Sequence, residues 1–95
     1  MKWTILYHHD VEEDLESVGT SAANRIVRAI GSKLGLSPLD FGAPLSGNLA
    51  NFRKLRVGDY RVVYQVRKKT IVVYVLAVGP RRDKEIYRAA FRRIS

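Results

Sequence analysis

The stretch Phe52-Arg53-Lys54-Leu55-Arg56-Val57-Gly58-Asp59-Tyr60-Arg61-Val62-Val63-Tyr64 decides the fold. Two runs rich in strand-forming residues flank Gly58-Asp59, and a glycine at the first of two loop positions suits a type II′ hairpin turn. With that turn Val57 lies opposite Tyr60 and Arg56 opposite Arg61, and strand alternation puts Lys54 on the face of Arg56. The other face carries Leu55, Val57, Val62, Tyr64 and, further on, Val66. Like charges directly opposed across two strands destabilise a sheet, so the Arg56/Arg61 pair is costly unless an anion lies between them. That is the strongest indication of a site that the residues offer by themselves.

Outward from the hairpin, Thr70 to Val78 reads as a third strand of an antiparallel meander, after a longer loop at Lys68-Lys69, and Pro80 ends it. Ile86, Tyr87, Ala90, Phe91 and Ile94 have helical spacing and predict a closing helix from about residue 82. Towards the N-terminus, Trp3 to Tyr7 reads as a first strand. Asp10 suits a helix N-cap ahead of the stripe Val11, Leu15, Val18, and Gly19 ends that helix. Thr20 or Ser21 is expected to cap a second helix with Ala23, Ile26, Val27, Ile30 and Leu34 on one side, before Gly35 and Pro38. Leu39 to Ala50, rich in Gly, Pro, Ser and Asn, reads as a connecting loop. The expectation is an α+β domain over residues 1–95: N-terminal strand, helical hairpin, three-stranded meander and C-terminal helix, with the helices packed on one sheet face.

Composition narrows the function classes. The chain has 95 residues, 46% of them hydrophobic, enough for one small core and no more. It has no cysteine and two histidines, which removes disulfides, thiolate nucleophiles and cysteine-zinc sites, so neither metal nor cofactor is expected. The longest apolar run, Ile71 to Val78, is eight residues, far below the roughly 20 that span a bilayer as a helix. Trp3 to Tyr7 is too short for a signal-peptide core, so the expected location is the cytoplasm, with no membrane partner. Net charge is +8, and it is unevenly placed: residues 1–40 hold 4 bases against 6 acids, residues 41–95 hold 13 against 3. The C-terminal half therefore carries a field that would concentrate a polyanion.

The hairpin, together with Val75-Leu76-Ala77-Val78-Gly79-Pro80-Arg81-Arg82 and Glu85-Ile86-Tyr87-Arg88, resembles the RelE/ParE superfamily of bacterial and archaeal toxins from type II toxin–antitoxin systems. The order of elements and the chain length fit over nearly the whole chain. In the RelE branch the resemblance implies a cytoplasmic mRNA interferase, an endoribonuclease that enters the ribosomal A site, cuts the messenger and so inhibits translation. A cognate antitoxin holds such a toxin silent in a hetero-oligomeric complex. Carried over residue by residue, Lys54, Arg61, Arg81 and Tyr87 match the family's positions for phosphate contact and acid–base work, and Arg56 matches a supporting basic position. Arg53, Arg82 and Arg88 join Arg56 as candidate RNA contacts. One position departs: where this branch often has a second lysine two residues before Lys54, this chain has Phe52. In the ParE branch the implied alternative is a non-catalytic toxin that inhibits DNA gyrase.

The chemistry can be stated independently. Metal-free RNA cleavage needs a base for the 2′-hydroxyl proton, cations for the phosphorane charge and an acid for the leaving 5′-oxygen. Arginine stays protonated, so Arg61 suits a phosphate clamp, while Lys54 and Tyr87 are the candidate proton acceptors among the cations Arg56, Arg61 and Arg81. Structural roles compete at each position. Lys54 and Arg56 also fit a solvated strand face, Arg61 an ion pair with Asp59, and Tyr87, on one stripe with Phe91 and Ile94, a core tyrosine with its hydroxyl at the edge. His8 and His9 are titratable but lie at the end of the first strand, away from the basic hairpin. Arg88, Arg92 and Arg93 read as a solvated helix face able to meet RNA or acidic segments.

Overall fold

The computed structural model describes residues 2–82 and 84–94. In chain order the elements are β1 (Thr4–Tyr7), α1 (Val11–Val18), α2 (Thr20–Ala29, extended by a π-helical turn Ile30–Leu34), β2 (Ala43–Pro44), a 3₁₀ turn (Gly47–Leu49), β3 (Arg53–Val57), β4 (Tyr60–Arg67), β5 (Val72–Pro80) and α3 (Glu85–Ile94). The expected class and order of elements are present, and β3, β4 and β5 form the antiparallel meander. The sheet has the order β1-β5-β4-β3-β2, with β1 parallel to β5. Asp83, within the stretch where the last helix was expected to start, lies outside the described residues.

The helices are divided between the two faces, which corrects the expectation of a single covered face. Ile26, Ile30 and Leu34 from the helical layer pack with Val11 on Leu55, Val57, Val62, Tyr64, Val73, Val75 and Val78. On the opposite face Ile86 and Ala90 of α3 pack on Phe52, Val63, Leu76 and Ala77. A strand flanked on both sides within a sheet must have both faces covered to keep a continuous apolar run out of water. A register shift in β5 supports this arrangement: Tyr64 pairs with Val75 and Val63 with Ala77, so Leu76 is the extra residue. The shift breaks simple alternation and lets Leu76 and Ala77 both serve the α3 side.

Local chemistry explains the boundaries. A single residue, Gly19 at φ +91°, separates α1 from α2 and occupies the N-cap of α2, so Thr20 is already helical and neither it nor Ser21 caps. A turn that tight requires the left-handed region, which glycine enters at no steric cost. Asp10 stands at the N-cap of α1 but makes no side-chain cap bond; its N–H donates to His8 Nδ1 at 3.1 Å. β2 lies inside the stretch expected as a loop, where Ala43 and Pro44 pair with Lys54 and Arg53. Proline, lacking an N–H, is tolerated on such an edge strand. Gly42 makes this approach possible: at φ +74°, a Cβ there would lie 2.6 Å from the Lys54 carbonyl oxygen.

β1 covers only Val72 to Val75 of β5, leaving the rest of that strand without a neighbour on this side. Side chains take over the missing ladder. Val78 N–H donates to Asp14 Oδ2 at 3.0 Å, and Arg93 Nη1 donates to the Leu76 carbonyl at 2.8 Å and to Asp14 Oδ2 at 2.7 Å. One ion pair thus joins α1, α3 and β5, and closes an otherwise open edge. Among the described residues no helix is long and apolar enough to cross a membrane.

Candidate nucleic-acid interface and active site

The β3–β4 turn places the basic residues as alternation requires. Arg56 pairs with Arg61, Val57 with Tyr60 and Lys54 with Val63, and Gly58 has φ +58°. Lys54, Arg56 and Arg61 line an open hollow of about 330 Å³, with Gly42, Ala43 and Leu55 as its remaining wall. Arg56 is turned back by a bond from Nε to the Gly58 carbonyl, 3.2 Å. Arg61 reaches the other way: its Nη1 donates to the Tyr87 hydroxyl oxygen, and its guanidinium carbon lies 5.9 Å from the centre of that ring. Tyr87 is therefore half-exposed beside a cation, with only part of its ring packed on the α3-side core. Among the described residues none of Lys54, Arg56, Arg61 and Arg81 forms an ion pair with a carboxylate; the pairs present are His8 and His9 with Asp10, Arg88 with Glu85, and Arg93 with Asp10 and Asp14. The Arg61–Asp59 pair considered from sequence is not formed. Cations that line one hollow without carboxylate partners suit an anionic ligand.

Arg81 follows the last residue of β5, and its N–H donates to the Asp59 carbonyl at 2.7 Å, which ties it to the β3–β4 turn. Arg81 and Arg82 line a smaller hollow of about 260 Å³ with Asp59 and Pro80. Arg88 is exposed on α3 and pairs with Glu85 at 3.1 Å. Arg53, expected as an RNA contact, does not join the cluster around Lys54 and Arg61. It points to the opposite face, where Nη2 donates to the Leu39 and Phe41 carbonyls and Nε to the Tyr64 hydroxyl. That hydroxyl also meets the Pro38 and Phe41 carbonyls at 2.9 Å, and burial pushes the Tyr64 pKa up from 10.0. Arg53 and Tyr64 together hold the 38–41 loop and, through Gly42, the wall of the hollow.

Phe52 is buried against Val63, Ala77 and Ile86 of the α3-side core, so the position offers the hollow neither charge nor hydrogen bond. His8 and His9 stand at the end of β1, an edge of the sheet separated from β3 by two strands. Their ligand-capable atoms and those of Asp10 lie within 4.8 Å of one another, but His8 Nδ1 already accepts the Asp10 N–H and Arg93 lies 3.6 Å from Asp10 Oδ2. Those groups begin α1 and brace α3. Gly42 and Leu49 escaped the sequence reading. Gly42 left only the weak signal of a glycine in a loop. Leu49, Phe91 and Arg92 form with Tyr87 and Arg88 a hollow of about 380 Å³ beside the basic face. The helical stripe containing Phe91 had assigned that residue to the core, yet it is 41% exposed.

Comparison with known proteins bears on the family and the fold. The family model described as the ParE toxin of type II toxin–antitoxin systems matches residues 5–85. Over 41 residues the chain is 49% identical to the mRNA interferase toxin RelE of Escherichia coli K12, a match spanning 43% of each chain and so under half the length of that relative. Toxin RelG of Mycobacterium tuberculosis is 30% identical over 88 residues, 93% of this chain and 99% of RelG. Among solved structures, a mutant of E. coli toxin RelE in the free state superposes over the whole of both chains with a TM-score of 0.80 at 26% identity. The toxin–antitoxin complex RelBE2 of M. tuberculosis contains a chain matched with a TM-score of 0.81 at 26% identity, covering 85% of this chain and all of that one. With the basic hairpin, the family match over residues 5–85 and the near full-length likeness to RelG together, the chain belongs to the ParE toxin family of type II toxin–antitoxin systems, within the RelE/ParE superfamily.

Proposed function

We propose that this chain is a ribosome-dependent endoribonuclease that cuts mRNA in the A site, the toxin of a pair whose antitoxin holds it silent in a hetero-oligomeric complex in the cytoplasm. The observation that carries the reading is the contact of Arg61 with the Tyr87 hydroxyl, on the same face as unpaired Lys54 and Arg56. A scissile phosphate seated between Arg56 and Arg61 relieves their mutual repulsion and receives their N–H groups where phosphorane charge develops. Lys54 takes the proton of the 2′-hydroxyl as that oxygen bonds to phosphorus. Tyr87, whose oxygen accepts from Arg61, keeps its own O–H to donate toward the phosphate. The P–O5′ bond then breaks, Arg81 stabilises the leaving 5′-oxygen while that oxygen takes a proton from a solvent water, and the Lys54 ammonium returns its proton to the hydroxide so formed. The products carry a 2′,3′-cyclic phosphate and a 5′-hydroxyl, and no metal takes part. Arg82 and Arg88 supply outlying phosphate contacts.

One feature favours a second reading, inhibition of DNA gyrase by binding alone: the position of an expected lysine is filled by buried Phe52. The decisive test adds the purified chain to ribosomes programmed with a defined messenger, beside the same RNA free, and maps cut ends by primer extension. The nuclease reading expects cuts only on the ribosome, slowed about 10²- to 10³-fold in Arg61→Ala, as for loss of one oxyanion donor. Absence of cuts in both lanes, with inhibition of gyrase supercoiling, would establish the second reading. Ends with 3′-hydroxyl and 5′-phosphate would refute the 2′-hydroxyl mechanism.

A further inference from the structure

We propose that Arg53 and Tyr64 are positioning residues for cleavage: from the sheet face turned away from the hollow they anchor the strap 42–44, which in turn fixes the main chain of Lys54. The inference rests on the reading of the chain as an RNA-cleaving toxin and adds to it two residues that touch no RNA. The strap needs an anchor. β2 consists of Ala43 and Pro44 alone, below the roughly three to ten residues of an ordinary strand, and its proline donates nothing to the ladder. Residues 39–44 are all exposed, so burial of apolar surface does not hold them either. Short edge segments of this kind are the first to open in a folded domain.

The strap is fixed at both ends. After it, the Leu45 N–H donates to the Phe52 carbonyl at 3.0 Å. Before it, the carbonyls of the 38–41 loop converge on two side chains. Arg53 Nη2 donates to Leu39 at 3.1 Å and to Phe41 at 3.4 Å, and the Tyr64 hydroxyl proton is shared between Pro38 and Phe41, each 2.9 Å away. Arg53 Nε donates to the Tyr64 oxygen at 3.4 Å, which joins the two side chains into one clamp. The clamp has a rigid base, because the Tyr64 ring is fully buried in the core with Val62 and Val75. It reaches the site through the chain that it fastens. Gly42 follows Phe41 and approaches β3 so closely that a Cβ there would stand 2.6 Å from the Lys54 carbonyl oxygen, and Ala43 pairs with Lys54. Gly42 and Ala43 are at the same time wall of the hollow that Lys54 and Arg61 line. Proton transfer to Lys54 tolerates little displacement, since an error of about 1 Å in a reacting group can cost about 10²-fold in rate.

The test measures single-turnover cleavage of a defined messenger on programmed ribosomes by the parent, Arg53→Met and Tyr64→Phe, with toxin in excess. Each substitution keeps the body of the side chain and deletes its hydrogen bonds to the loop. Circular dichroism at the assay temperature checks folding, and Tyr64→Phe decides where Arg53→Met does not fold. Arg28→Met, at an exposed position of α2, controls for the loss of one positive charge and should match the parent. Both clamp variants are expected to cut about 10- to 100-fold more slowly, with the half-saturating toxin concentration unchanged. Amide exchange should quicken at Ala43 and Lys54 and stay at the parent's rate at Val75. Folded variants that cut as fast as the parent would overturn the positioning role and leave the nuclease reading standing. A raised half-saturating concentration at an unchanged rate would overturn it by making Arg53 an RNA contact. Exchange that quickens equally at Val75, or an equal loss in Arg28→Met, would overturn it in favour of general stability or net charge. A parent that cuts nothing would overturn the nuclease reading and this inference with it.

Discussion

Arg56 and Arg61 oppose each other across the ladder, and among the described residues neither forms an ion pair with a carboxylate, so their repulsion lowers the stability of the fold. Cross-strand pairs are worth about 0.2–1 kcal/mol either way. Arg56→Gln is therefore expected to raise the unfolding free energy by about that much at low salt, in a denaturant titration, with the gain shrinking as salt rises toward about 1 M, where the Debye length falls to about 3 Å. The same variant should bind single-stranded RNA more weakly and lower the slope of log K against log salt by about 0.7, one phosphate contact. A variant less stable than the parent at low salt would show that the opposed arginines do not repel. Arg53, one residue from Lys54, has the contrary role: its bonds to the loop carbonyls are structural. Adjacent arginines on a strand divide between site and scaffold because side chains alternate.

At the scale of elements, α3 carries both Tyr87 and Phe91, and its position depends on a pair 79 residues apart in sequence. Arg93, with a side chain 15% exposed, donates two hydrogen bonds to Asp14. The hydrogen bond to Asp14, then the charges of Asp14 and Asp10, hold the Arg93 pKa above its ordinary value. Arg93→Met leaves the half-buried Asp14 carboxylate with the Val78 N–H alone and the Leu76 carbonyl without its donor. The expected loss is about 2–3 kcal/mol, some 10–20 °C in Tm for a domain of this size, measured by thermal unfolding. Arg93→Lys should recover part of it, and an unchanged Tm would show that α3 is held by Ile86 and Ala90 alone.

At the scale of the whole molecule, positive charge collects on the meander and α3, while the acids gather on α1 at the opposite sheet edge. His8 is buried at that edge, and burial, then the neighbouring His9, lower its pKa from 6.5. In the folded state the neutral ring is favoured, so between the folded and unfolded values the unfolded chain binds more protons and stability rises with pH. The His8 contribution is complete above pH about 6.5 and is lost as pH falls through the lower folded value. Tm measured from pH 7.5 down to 5.5 should decline in the parent and flatten in His8→Gln; parallel curves would remove His8 from the account.

The sequence by itself determined what is local. The register of the basic hairpin follows from a two-residue turn and a side-chain period of 2, and the helical layer from apolar residues spaced at 3 and 4. The motifs around Arg61, Arg81 and Tyr87 carried the family. Only the tertiary structure decided that β1 runs parallel to β5 and that α3 covers the face opposite α1 and α2. It also decided that Ala43-Pro44 adds an edge strand, and that Phe52 serves the core while Phe91 meets solvent. Each of these depends on which surfaces meet across long stretches of chain. A periodic pattern records that a residue has an apolar side to cover; it does not record what covers it, because that partner is brought near only when the sheet has closed.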